Sequence, residues 1–357
     1  MRKARSSTLA LLTIVGAFAV LAGCDTPQNT FSPKSDIADG IMGLYALVTW
    51  LAAIVGALVL LAMLYLMIKY RARPGVKPKQ IHGNTILEIL WTVGPIIVLV
   101  AIAVPTMFGI ANAARASDEE TLHVTAVGHQ WWFEFRYPGL GPGGADLVTA
   151  NEMRVPVGRR VQVHLESEDV IHSFWVPKLV GKTDMMPNRH NKLDPFTPTE
   201  VGTFYGQCAE FCGTAHALMR FRVHVDSLAD YQRWVDSYNT PPAKPEAGTA
   251  AARGQMLFGT CSGCHAVAGT PYQGRIGPDL TLFGDRSTVG AGILPATDEN
   301  VRQWVANVRA LKPIPEQNAT NKQVMPTFYD EENPDKSSLT PQQISDIVAY
   351  LKTLVIQ

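Results

Sequence analysis

The sequence predicts a multidomain chain: a two-helix transmembrane hairpin, then an all-β sandwich, then an all-α domain. Three observations carry this. Two long apolar segments sit in the first third, period-two alternation fills the middle, and helical patterning surrounds a Cys-x-x-Cys-His motif near the end. At 357 residues the chain has room for several separate cores. A formal net charge of zero gives no electrostatic footprint for nucleic acid, and none is expected as a partner. The five cysteines fall in recognisable contexts: Cys24, the pair Cys208/Cys212 and the pair Cys261/Cys264. That distribution favours chemistry over packing.

Residues 1–23 read as an export signal of the lipoprotein type. Arg2, Lys3 and Arg5 form a basic start, and Leu9 to Leu21 is an apolar run too short to span a bilayer comfortably. Leu21-Ala22-Gly23-Cys24 resembles a bacterial lipobox, in which the cysteine is lipidated and becomes the mature first residue. An ordinary signal peptide, or an uncleaved apolar segment with an incidental Cys24, is the alternative.

Residues 24–112 hold an outward-facing start and two spans, at about 41–68 and 86–110. Each is long enough for a hydrocarbon core of about 30 Å. Lys69, Arg71, Arg73, Lys77 and Lys79 lie between them with no acidic residue, which places that loop in the cytoplasm and both flanks outside. Pro95 and Pro105, inside the second span, point to a helix packed against a partner protein. Glu88 near its cytoplasmic end is either a carboxylate reaching the interface or a proton-uptake group.

Residues 118–238 form the first exported domain. Leu122, Val124 and Ala126 alternate with their neighbours, as do Val161, Val163 and Leu165, and Phe221, Val223 and Val225. Glycine and proline punctuate these runs, so an antiparallel sandwich is expected. Its chemistry lies at Cys208-Ala209-Glu210-Phe211-Cys212, then His216 and Met219. Thiolates, an imidazole and a thioether together select copper over hard cations. Two cysteines on one short loop can bridge a pair of copper ions. The second imidazole must come from elsewhere, and His172, after a strand and before an aromatic-rich turn, is the best candidate. A Cys208–Cys212 disulfide and a zinc site are the competing readings, and neither explains Met219.

Cys-x-Glu-x-Cys-x-x-x-His-x-x-Met, with Asp-x-x-His-Ser-Phe upstream, resembles the binuclear copper (CuA) motif of cytochrome c oxidase subunit II. The likeness covers about residues 40–235. It implies a cupredoxin-like Greek-key fold. It also implies that His172, Cys208, Cys212, His216 and Met219 are copper ligands and that Glu210 ligates through its backbone carbonyl. The Glu210 side chain would reach a magnesium ion at the contact with subunit I. Gly128-His129-Gln130-Trp131-Trp132-Phe133 is similar to the family's aromatic segment, whose first Trp, here Trp131, receives electrons. Core packing is the plainer role for Trp132, Phe133 and Phe135, and Trp132 stands where many members carry Tyr. Glu88 matches the glutamate at the mouth of a proton channel.

Residues 239–250 have linker composition, from Thr240-Pro241-Pro242 to Gly248. Residues 251–357 then resemble a small class I cytochrome c. Cys261-Ser262-Gly263-Cys264-His265 is a haem c attachment motif: two thiols for the vinyl groups and an adjacent imidazole for the iron. Met325, before Pro326 on a polar loop, is the expected sixth ligand, whereas Met256 reads as core. Gly277-Pro278-Asp279-Leu280 is expected beside His265, with closing helices at 299–310 and 340–354.

The expected function is electron relay within a proton-translocating oxidase: donor cytochrome c, covalent haem, binuclear copper, then the haem of subunit I, where oxygen is reduced. The expected partners are subunit I, other oxidase subunits, a donor cytochrome c and the membrane. The expected place is the bacterial inner membrane, with both cofactor domains on the periplasmic or outer side. A tethered carrier serving several acceptors and an electron-input subunit of a nitrogen-oxide reductase are the rival readings.

Overall fold

A computed structural model describes residues 26–75, 82–114, 119–314 and 325–357. The export signal, Cys24, Lys77 and Lys79 lie outside the described residues.

Two long helices come first, α1 (Asp36–Lys69) and α2 (Thr85–Ala113). Both extend beyond the apolar runs because polar caps begin them. Ser35 Oγ accepts from Ala38 N, and Asn84 Oδ1 accepts from Ile86 N and Leu87 N, satisfying amides that have no helical partner. With 34 and 29 residues they reach roughly 50 Å and 45 Å, longer than a hydrocarbon core. Their large apolar side chains, among them Leu58, Leu64, Ile97 and Phe108, are exposed in the isolated chain. The foot of α1 is fastened to the exported part. Buried Ser35 donates to Leu179 O, and Thr197 N donates to Asp36 Oδ1 at 2.7 Å.

The middle region is a sandwich of two five-stranded sheets. One holds β1 (Leu122–His129), β2 (Trp132–Tyr137), β3 (Leu147–Ala150), β5 (Val161–Ser167) and β8 (Asn191–Lys192), in the order β3-β2-β1-β5-β8. The other holds β4 (Glu152–Pro156), β6 (His172–Val176), β7 (Val180–Met185), β9 (Gly202–Cys208) and β10 (Arg220–Asp226), in the order β4-β10-β9-β6-β7. The sheets are mixed rather than antiparallel: β1 runs parallel to β5, and β10 parallel to β4. Period-two alternation reports which face of a strand is buried and says nothing about its neighbour's direction. Phe133, Phe135, Phe174 and Phe221 fill the space between the sheets, with Phe221 centred 4.6 Å from both Phe133 and Phe174. Gly206 makes room for this cluster, since a Cβ there would lie 2.3 Å from the Phe221 ring.

Helix α3 (Leu228–Asn239), capped by Ser227, closes the sandwich with Tyr231, Trp234 and Tyr238 turned inward. The C-terminal region has α4 (Ala250–Leu257), α5 (Asp298–Ala306), α6 (Val308–Leu311) and α7 (Pro341–Leu351). A short hairpin, β11 (Thr288–Val289) with β12 (Leu294–Pro295), interrupts the otherwise helical domain. The helix expected over 299–310 is broken at Asn307, whose Oδ1 accepts from Arg309 N and Ala310 N and restarts the chain as α6. A capping box of Thr340 and Gln343 begins α7. Met256 is 75% exposed, not core. Helix α4 packs on α7 through Gly254, where a Cβ would meet Asp346 O at 1.8 Å, and Met256, two residues on, lies on the opposite face.

Candidate metal centre and haem cleft

The donors of the middle domain converge at one end of the second sheet. Cys208 ends β9, and its amide bonds Met219 O at 2.9 Å, which closes the intervening loop at its base. Gly213, with φ +114°, turns that loop beneath Trp131. His172 is the first residue of β6 rather than a loop residue, and β6 pairs with β9 with Phe174 opposite Cys208. The imidazole is thereby delivered by sheet register, a contact between residues far apart in sequence.

Cys208 Sγ and Cys212 Sγ are 3.7 Å apart. His172 Nδ1 lies 3.9 Å from Cys208 Sγ, and His216 Nδ1 lies 3.5 Å from Cys212 Sγ. Met219 Sδ is 3.9 Å from Cys212 Sγ, and the Glu210 carbonyl oxygen is 3.2 Å from Cys208 Sγ. All six expected donors therefore meet, with one imidazole beside each sulfur. Both cysteines are buried and free, so no disulfide joins them. The hydrogen bond shared with Cys212 holds the Cys208 thiol well below the usual range, and the same bond holds the Cys212 proton on. A site that stabilises thiolate in this way, with thioether and imidazole alongside, has the donor set of soft copper rather than of a hard cation.

In the C-terminal domain, Cys261, Cys264, His265, Met325 and Pro326 line one cavity of about 410 Å³. Phe258, Phe283, Val301, Ile347 and Leu351 supply its apolar wall. His265 Nδ1–H donates to Pro278 O at 2.7 Å, which leaves Nε2 as the imidazole's free lone pair. Gly277 permits this approach, as a Cβ there would lie 2.7 Å from the ring. Two thiols, an oriented imidazole and a thioether around an apolar cleft fit a covalently attached haem.

The model of "Cytochrome C oxidase subunit II, periplasmic domain" matches residues 122–226, and that of the subunit's transmembrane domain matches residues 28–108. The cytochrome c model matches residues 251–355. Cytochrome c oxidase subunit 2 of Alkalihalophilus pseudofirmus is 36% identical over 347 residues, covering 94% of this chain and 94% of that protein. The subunit 2 of Bacillus sp. strain PS3 is 33% identical over 97% of this chain and 98% of its own length. The chain belongs to the cytochrome c oxidase subunit II family. Quinol oxidase subunit 2 of Bacillus spizizenii, 33% identical, aligns with only 64% of the chain. Membership implies copper in the middle domain and haem in the C-terminal one, within a membrane-anchored haem–copper oxidase subunit.

Four residues to which sequence reasoning gave no role support the sites or the contact between the two domains. Asp169 Oδ1 accepts from His172 Nε2–H at 2.8 Å and so fixes which nitrogen faces the sulfurs. Its place three residues before the histidine was the signal available. Gln130 Nε2 and Trp131 Nε1 both donate to Cys212 O, at 2.9 Å and 3.0 Å. Lys312, from the end of α6, donates through Nζ to Trp131 O at 2.5 Å, and Glu152 bonds to the C-terminal domain. Nothing in sequence foretells these last two. Glu88 stands exposed in the first turn of α2, away from both sites.

Proposed function

We propose that His172, Cys208, Cys212, His216, Met219 and the Glu210 carbonyl hold two copper ions, and that Cys261, Cys264, His265 and Met325 hold one haem c. The chain is an electron-transfer subunit of a cytochrome c oxidase. When bound, these groups supply two successive one-electron carriers that a donor cytochrome c can fill and a subunit I haem can drain. The protein's own part is positional. The two thiolates, 3.7 Å apart, would hold both metals, Asp169 orients one imidazole, and Trp131 lies between the haem cleft and the Cys212 carbonyl.

The exported domains are assigned to the periplasmic or outer face of a bacterial cell membrane, on the strength of the basic loop between the helices. The Glu210 side chain is assigned to a magnesium ion at the subunit I contact, Glu88 to proton uptake into subunit I, and Cys24 to lipid attachment. The 3.7 Å approach of Cys208 and Cys212, with a histidine beside each, carries the central reading. Electron spin resonance of the purified oxidase tests it. A delocalised mixed-valence signal is expected, and Cys208→Ser or Cys212→Ser abolishes it because one thiolate supports at most a mononuclear site. Zinc in place of copper overturns the reading.

A further inference from the structure

The C-terminal domain is bound to the sandwich by much more than its linker. Glu152, 5% exposed at the start of β4, sends its carboxylate into the turn before β11. Its Oε1 accepts four hydrogen bonds there: Ser287 N at 2.9 Å, Ser287 Oγ at 2.7 Å, Thr288 N at 2.9 Å and Thr288 Oγ1 at 2.9 Å. On the sandwich side, His224 Nε2 meets its Oε2 at 3.0 Å. The contact continues along β10, where Arg220 N donates to Ala291 O and Arg222 Nη2 to Gly292 O, both at 3.0 Å. At its far end Lys312 Nζ reaches Trp131 O.

The consequence lies at Trp131. It is 4% exposed, and together with Trp132 it lines the same cavity as Cys261, Cys264 and His265. A separate protein has no access to that indole while the C-terminal domain is seated. Resting on the cofactor assignment above, we propose that Glu152 is a positioning residue for electron transfer. It clamps the C-terminal domain so that Trp131 works as an internal relay between the haem cleft and Cys212, and an external donor docks on the C-terminal domain alone. A carboxylate cradled by two backbone amides and two hydroxyls is directional as well as strong, which suits a contact that must hold a tunnelling distance constant.

The test uses the complete oxidase with Glu152→Ala, Glu152→Gln and, from the other side of the contact, Thr288→Val. Haem and copper content and their spectra are measured first, then hydrogen exchange at the Thr288 and Arg220 amides. The rate of electron arrival at copper after flash reduction of the haem is measured last. Glu152→Ala is expected to keep both cofactors, to exchange those amides faster, and to slow arrival at least tenfold. Glu152→Gln, which keeps an acceptor oxygen, restores part of the rate, and Thr288→Val slows it less than Glu152→Ala does. Unchanged exchange in Glu152→Ala, or faster exchange with an unchanged rate, overturns the clamp. Loss of copper in that variant also overturns it, by showing that Glu152 acts on the metal centre. Absence of copper from the unsubstituted protein overturns the cofactor assignment instead.

Discussion

The indole Nε1 of Trp131 donates a 3.0 Å hydrogen bond to the carbonyl oxygen of Cys212. One side of this pair borders the haem cleft, and the other carries a sulfur of the metal centre. Both residues belong to the sandwich, yet Trp131 also lines the cavity of the C-terminal domain, so a single hydrogen bond lies between that cavity and the metal centre.

Asp169 orients His172 without touching the sulfurs. Asp169→Asn keeps the shape and removes the charge that fixes the imidazole. Loss of such a partner costs roughly 10- to 100-fold in metal affinity. A chelator competition on the exported part should show copper released at correspondingly lower chelator concentration. Equal retention in both proteins would relieve Asp169 of that role.

Met325 shares the cleft with His265. Met325→Ala should admit small iron ligands such as carbon monoxide and lower the haem potential, because a thioether favours ferrous iron. Optical redox titration with and without carbon monoxide reads both effects. An unaltered reduced spectrum moves the sixth ligand to another residue.

Gly254 admits no side chain, since a Cβ would sit 1.8 Å from the backbone oxygen of Asp346. Gly254→Ala must push α4 off α7, and overpacking of this kind costs about 1–3 kcal/mol. The haem-domain melting transition, followed by loss of the haem absorbance band, should fall by several degrees. A melting point equal to that of the parent would mean that α4 and α7 separate without penalty.

The Glu152 contact also sets a pH dependence. Burial by itself would raise this carboxyl, but bonds from His224 and Ser287 and the charge of Arg286 outweigh it, bringing the pKa from 4.5 down to about 2. The folded value is the lower one, so the unfolded chain binds the proton more tightly. The stabilisation is therefore complete above pH 4.5 and disappears as the pH falls toward 2. A shift of that size amounts to about 3 kcal/mol. Thermal melts through the acid range should lose stability over this interval, and Glu152→Gln should flatten that part of the curve. Parallel curves for the two proteins would contradict the linkage.

Much is legible in the sequence alone. The spans followed from apolar length, the sandwich from period-two alternation, and both cofactor motifs from cysteine spacing, because each is a local pattern that solvent and covalent chemistry impose on a short window. Local patterns also misled. Met256 has a core residue's chemistry but lies opposite the face that Gly254 packs, and the parallel pairing of β1 with β5 left no trace in either strand's alternation.

The sequence by itself determined which atoms are available to hold metal and haem, since donor type and loop spacing are covalent facts. The tertiary structure alone decided how those atoms are placed and linked. His172 reaches Cys208 through the pairing of β6 with β9, while Asp169 selects its tautomer. Glu152 and Lys312 find partners 135 and 181 residues away, seating the haem cleft against Trp131. Such contacts depend on register, helix phase and burial summed over the whole fold. A buried carboxylate or ammonium is tolerated only where distant donors and acceptors converge on it, and no local window of sequence records that convergence.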